Sequence, residues 1–239
     1  MKVVFVGPSL SPPYRHAAGC TILPPAAQGD IARAVLAGAS AIGLIDGVYE
    51  TVAAVWHKEI LFALERGVRM LGAASMGALR AAECAAFGME PVGEIANRYL
   101  DGTLDDDAAV AVLHAPREMD YLQLSEALVD AEATIAHLHG LQLISAAERC
   151  ALEDSAAACF FKERTAQSIV GGVAADRRPE ILAAYQSHRI SLKQQDALLL
   201  MRRMATIRPK RPPQFPAWTL SQPESWRHLM ADLNPGGQI

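Results

Sequence analysis

Arg69-Met70-Leu71-Gly72-Ala73-Ala74-Ser75-Met76-Gly77-Ala78-Leu79-Arg80-Ala81-Ala82-Glu83 is the stretch whose reading decides the fold. A short apolar run ends in small residues, presents a lone serine and passes straight into an Ala-rich helical pattern. It reads as a strand, a tight turn and a helix, with Ser75 at the bend. The small residues Ala73, Ala74 and Gly77 allow a sharp turn that leaves the hydroxyl exposed. The unpaired N–H groups that open a helix face whatever anion lies beside that hydroxyl. Nucleophile and oxyanion donors, here the amides of Met76 and Gly77, then come from the same few residues. A serine at this place is also the ordinary N-cap of an amphipathic helix.

Working outward, strand and helix patterns alternate through the first half. Lys2–Val6 is a continuous apolar strand that breaks at Gly7-Pro8-Ser9, and a Pro- and Gly-rich loop follows. Asp30 opens a helix whose apolar residues Ile31, Ala34 and Val35 recur at helical spacing, and Gly38 ends it. Ala41–Ile45 is a second strand stopping at Asp46-Gly47; Trp56–Arg66 is a helix stopped by Gly67; Val68–Leu71 is a third strand. Such strand–helix–strand units predict an α/β fold: a parallel sheet with flanking helices in the N-terminal half. From Pro91 the pattern changes, and residues from about 123 to 205 are mostly helical, with capping pairs at Ser145/Glu148 and Ser191/Gln194. The expected division is an α/β core over 1–120, a helical region over 121–208, and an irregular Pro-rich tail over 209–239.

Composition narrows the function classes. The chain has 239 residues, a net charge of −4 and a 51% apolar fraction, which suits a globular protein and argues against nucleic-acid binding. No run approaches a membrane span, and the N-terminus reads as a strand rather than a signal peptide, so a cytoplasmic location is expected. The four cysteines and seven histidines show no metal-ligand spacing. The cysteines are expected to be mostly buried small hydrophobes, with Cys20, in a loop, the one candidate for reactivity. Neither GxGxxG nor a Walker lysine is present, so no nucleotide is claimed.

Ligands of parallel sheets bind beyond the carboxyl ends of the strands, and three such ends carry polar residues: Ser9, Asp46 and Ser75. His57 and Lys58 open the helix after Asp46, and either is a candidate base for Ser75. Imidazole titrates near neutrality, whereas a lysine needs desolvation or a nearby cation first. Asp46 is then the acid that orients the base. Arg80 and Glu83 are three apart on the Ser75 helix and pair there, and Glu83, two turns from Ser75, needs Arg80 or Lys58 as partner. Asp105-Asp106-Asp107 reads as a solvated element entry, with a cation or a basic partner surface as the functional alternative.

These residues together resemble the TfuA-like family. The resemblance rests on Gly7-Pro8-Ser9-Leu10, Pro24-Pro25-Ala26 with Gly29-Asp30, and Gly43-Leu44-Ile45-Asp46-Gly47. It continues through Trp56-His57-Lys58-Glu59-Ile60, the segment Gly72 to Glu83, and Asp105-Asp106-Asp107 with His114. The resemblance implies a partner of a YcaO enzyme in peptide backbone thioamidation. It also implies a ThiS-like sulfur-carrier protein whose C-terminal thiocarboxylate is hydrolysed to supply sulfide, with the precursor peptide met only indirectly. In that chemistry Ser75 is the nucleophile, His57 or Lys58 the base, Asp46 its orienter and Arg80 a cation for the sulfur, with Ser9, Met76, Gly77 and Glu83 lining the substrate. No metal or organic cofactor is called for. A base-activated water positioned by Ser75 is an equally economical route. Two rivals stand beside this reading: a non-catalytic scaffold that docks carrier, peptide and YcaO enzyme, and a stand-alone peptidase or esterase. The second follows the likeness of Ala74-Ser75-Met76-Gly77-Ala78 to the nucleophile turn of Clp-type serine peptidases.

Overall fold

The computed structural model describes residues 1–48, 50, 52–208 and 218–233. Five parallel strands, β1 (Lys2–Phe5), β2 (Cys20–Leu23), β3 (Ala41–Leu44), β4 (Arg69–Gly72) and β5 (Glu90–Pro91), form one sheet in the order β2-β1-β3-β4-β5. Lys2 stands opposite Cys20 and Ala41, and Ala41 opposite Arg69, so the central strands run in step. The expected parallel sheet is present. β2 lies inside the stretch expected to be a loop: four residues between Gly19 and Pro24 are too few to show a period. β2 and the two-residue β5 form the two edges.

The pleat sends alternate residues to opposite faces. Val3, Phe5, Ile42, Leu44 and Met70 pack against α1 (Asp30–Leu36), α2 (His57–Glu65) and α3 (Met76–Cys84). Val4, Val6, Ile45 and Leu71 pack on the other face against Leu200, Met201 and Met204 of α9 (Leu192–Thr206). The second layer of the sheet thus comes from the helical half of the chain. Gly43 makes the approach close: a Cβ there would lie 2.7 Å from Leu200 Cδ2.

Between these elements run α4 (Glu94–Asp101), α5 (Leu128–Gly140), α6 (Ala146–Ala158), α7 (Ala166–Val170) and α8 (Arg178–Ser187). Ile135, Leu138, Leu152, Ile169, Ile181 and Tyr185 make the core of the α5–α8 group. Carboxylates stitch helix starts across the fold. Asp196 of α9 accepts the N–H groups of Glu94 and Ile95 at 2.9 and 2.8 Å, capping α4. Asp130 of α5 accepts Lys193 N–H at 2.9 Å and the Ser191 hydroxyl at 3.0 Å, at the start of α9. The Ser145/Glu148 box forms fully; at Ser191 the hydroxyl accepts Gln194 N–H and itself donates to Asp130, and no reciprocal box forms.

One expectation needs correction within the Pro-rich tail. Residues 209–217 and 234–239 lie outside the described residues, but Glu224–Leu233 is a helix, α10. Trp226 and Met230 bury its apolar face against Phe62 and Ala32, with the Phe62 and Trp226 ring centroids 5.4 Å apart.

Glu59 is fully buried where α1 and α2 begin. Its two oxygens accept the N–H groups of Trp56 at 3.2 Å and Ala32 at 3.3 Å. Burial raises its pKa, and hydrogen bonds from Gly29, Trp56 and Ala32 pull against the rise. An amide nitrogen accepts nothing, so Glu59→Gln is expected to leave one N–H facing another donor and to cost about 1–3 kcal/mol in urea unfolding.

Candidate active site

The strand order reverses between β1 and β3, and sheets of this kind bind ligands in the crevice outside the strand ends at that point. A cavity of about 150 Å³ opens there. Pro8 after β1, Asp46 and Gly47 after β3, and Ser75 after β4 line it, and the segment Val110–His114 and Phe161-Lys162 close it from the helical half.

Ser75 sits at the turn the sequence predicts. Ala74, fully buried, takes a left-handed φ of 67°, a conformation that costs a non-glycine residue about 1–3 kcal/mol and marks a strained turn. Ser75 is 7% exposed, and its hydroxyl makes no capping bond to α3. Among the described residues no fully buried side-chain oxygen or nitrogen lacks a partner, so the unpartnered Ser75 hydroxyl is open to the cavity. Gly77 is not the oxyanion donor expected of it: its N–H donates to Ile45 O at 3.1 Å, and Ala78 N–H donates to Ser75 O at 2.9 Å. Of the first three helical amides, that of Met76 is left for a ligand oxygen. Gly77 has a packing role, because a Cβ there would sit 1.8 Å from Leu44 O.

Asp46 reaches the cavity but does not orient a histidine. One oxygen accepts Gly7 N–H at 2.8 Å and Ser9 N–H at 3.1 Å, and the other accepts the Ser9 hydroxyl at 2.6 Å. Ser9 therefore faces Asp46 and fixes the turn after β1. Behind this turn lies Lys193 of α9, fully buried, its ammonium donating to Val110 O at 2.6 Å. Burial lowers its pKa, while the nearby Asp46 and Asp130 carboxylates oppose the fall.

His57 and Lys58 are not brought to Ser75. His57 Nε2 lies 2.8 Å from Glu83 Oε2, and Glu83 is eight residues, or about 12 Å of helix, beyond Ser75. Arg80 donates to the same Glu83 oxygen at 2.6 Å and to Val55 O at 3.2 Å. The Arg80–Glu83 pair is as expected, with His57 rather than Lys58 as its third member. Partial burial works against the Glu83 carboxylate, yet the hydrogen bonds from His57 and Arg80 outweigh it and hold its pKa below the usual range. Arg80 and Glu83 line a separate cleft of about 420 Å³ with Asp105, Asp106 and Asp107. Lys58 makes none of the hydrogen bonds or ion pairs among the described residues. The mismatch has a simple origin: ten residues of sequence separate Asp46 from Trp56, where α2 is capped, so nearness in sequence does not return the helix to the strand end.

The imidazole in the cavity is that of His114. Its Nδ1 lies 2.8 Å from Ala115 O, so Nδ1 carries the proton and Nε2 is left as an acceptor in the neutral ring. The Tyr121 ring meets it edge-on at 5.8 Å. His114 belongs to the motif set quoted above, but it stands in an irregular segment with no periodicity to aim it.

Among the cysteines only Cys84 is buried, its thiol pushed up to about 11 by burial; Cys150 is exposed, and Cys20 opens β2 rather than lying in a loop. Asp106 caps the short turn Asp107–Val110 by accepting Ala108 N–H. No cluster of three potential metal ligands occurs among the described residues, and no helix among them is long and apolar enough to cross a membrane.

A parallel α/β sheet with an open serine at a strained strand-to-helix turn, over the point where strand order reverses, defines the class. The family model described as TfuA-like protein matches residues 46–165, and the chain belongs to that family, with a role beside YcaO enzymes. No curated protein matches the chain. The matched segment starts at Asp46 and takes in Ser75, His114 and Lys162; β1 and α9 lie outside it.

Proposed function

We propose that this chain hydrolyses the C-terminal thiocarboxylate of a ThiS-like sulfur carrier and so delivers sulfide to a YcaO enzyme for backbone thioamidation. The observation that carries this is the unpartnered, nearly buried Ser75 hydroxyl in a cavity it shares with His114. In the proposed reaction Ser75 Oγ attacks the thiocarboxylate carbon while His114 Nε2 takes the hydroxyl proton. The tetrahedral oxyanion meets the Met76 N–H. Collapse breaks the C–S bond, His114 passes its proton to sulfur, and hydrosulfide leaves an acyl-serine. Water, deprotonated by His114, then attacks the ester; a carboxylate departs and the serine regains its proton. Asp46 and Ser9 act by shaping the turn beside the cavity.

A scaffold reading draws on a different feature. Met119, Leu122 and Leu124 are exposed along a cleft of about 990 Å³ between the first loop and the helical half, which suits docking of a protein chain. Sulfide release from a purified thiocarboxylated carrier, with no YcaO protein present, separates the two. Release at a rate proportional to the chain supports the hydrolase; none at any concentration leaves the scaffold.

A further inference from the structure

We propose that Lys162 is an anion-binding residue of the Ser75 cavity, specific for the C-terminal carboxylate or thiocarboxylate of a polypeptide, and that Glu50 occupies its place until such a chain arrives. The inference rests on reading the cavity as the acyl site.

Charge is scarce in this cavity. Among the described residues its acidic members are Asp46, which already accepts three hydrogen bonds, and Glu50, and its one Lys or Arg is Lys162. Lys162 Nζ and Glu50 Oε2 are 2.8 Å apart, and both side chains are about two-fifths exposed. Lys162 stands on the α6–α7 connection, with its ammonium 5.5 Å from the Phe161 ring centroid and 5.8 Å from that of Phe160. Glu50 comes from the opposite wall, in the segment after β3, and holds a left-handed φ of 69°. The pair therefore joins two walls of the cavity that also exposes the Ser75 hydroxyl. An exposed ion pair is weak enough for an incoming anion to exchange into it. A volume of about 150 Å³ admits a terminal group with little or no side chain, such as a final glycine. Arg80, the cation expected to hold the anionic sulfur, is committed to Glu83 in the other cleft.

The two halves of one ion pair then have opposite effects, which a merely structural pair does not produce. Two peptides of five residues ending in glycine, one with a free carboxylate and one amidated, are titrated calorimetrically into the full chain. The acid is expected to bind about fivefold more tightly than the amide. Lys162→Gln removes that preference, Lys162→Arg keeps it, and Glu50→Gln tightens the acid by about fivefold by deleting the internal competitor. Equal binding of acid and amide, no binding of either, or weakening by both Glu50→Gln and Lys162→Gln overturns the proposal. Acetate binding as tightly as the acid peptide overturns the polypeptide assignment. Sulfide release from a thiocarboxylated carrier is followed separately with the same protein variants. A Lys162-dependent acid preference without sulfide release keeps the anion site and sinks the hydrolase; release with no acid preference does the reverse.

Discussion

Ser75→Ala is expected to lower sulfide release from a thiocarboxylated carrier by about 10³-fold or more, the scale on which acyl-transfer enzymes lose activity with their nucleophile. The same substitution is expected to change unfolding free energy by less than about 0.5 kcal/mol, because the hydroxyl makes no hydrogen bond in the fold. That combination separates a nucleophile from a helix cap, whose loss costs about 1 kcal/mol and leaves chemistry alone. Release that survives within tenfold would assign the attack to a water molecule held beside Ser75. His114→Ala tests the base: a fall of about 10²–10⁴-fold is expected. His57→Ala, in the Glu83–Arg80 cluster, is expected to stay within about twofold, since surface changes away from a site perturb it little. A large loss at His57 with none at His114 would return the base to the helix where sequence reasoning placed it.

Lys193→Met is expected to destabilise the fold by about 3 kcal/mol, seen as a lower urea midpoint at unchanged slope. The side chain is fully buried, so its charge has no water to face. Removing it leaves the Val110 carbonyl without its 2.6 Å donor and takes an ammonium from beside Asp46 and Asp130. Methionine fills a similar volume, which confines the effect to charge and hydrogen bonding. A cost below about 1 kcal/mol would mean that the amine is neutral in the fold and contributes mainly its stem. The loss is expected to extend to the cavity wall, because Val110 borders it.

The alternation of apolar strands with capped helices made the first half readable, and the strand–turn–helix around Ser75 was legible from local chemistry alone. Gly72, Ala73, Ala74 and Gly77 announce a turn because larger residues do not fit there. The edge strand β2 escaped because four residues carry too little pattern. The capping pair Ser191/Gln194 marks where α9 starts, but a helix start does not say what the helix will cover, and here it covers β1, β3 and β4. The site divides in the same way. Ser9, Asp46 and Ser75 follow from strand ends, which parallel sheets gather at one rim. His114, Lys162 and Lys193 arrive by tertiary folding of irregular or distant segments. The charged residues nearest in sequence, His57, Lys58, Arg80 and Glu83, were misjudged because the helices carry them away from the rim.

The cover that α9 gives the sheet also bears on how the chain is made. All five strands have been synthesised once residue 91 is added, yet the helix that seals one face begins at Leu192. At common elongation rates that is a wait of roughly 5–20 seconds, during which Val4, Ile45 and Leu71 lack the cover of Leu200, Met201 and Met204 on that side. The nascent half-protein is thus an exposed apolar surface awaiting its last layer. Slowing translation between these points would lengthen the interval in which chaperones or neighbouring nascent chains compete for it.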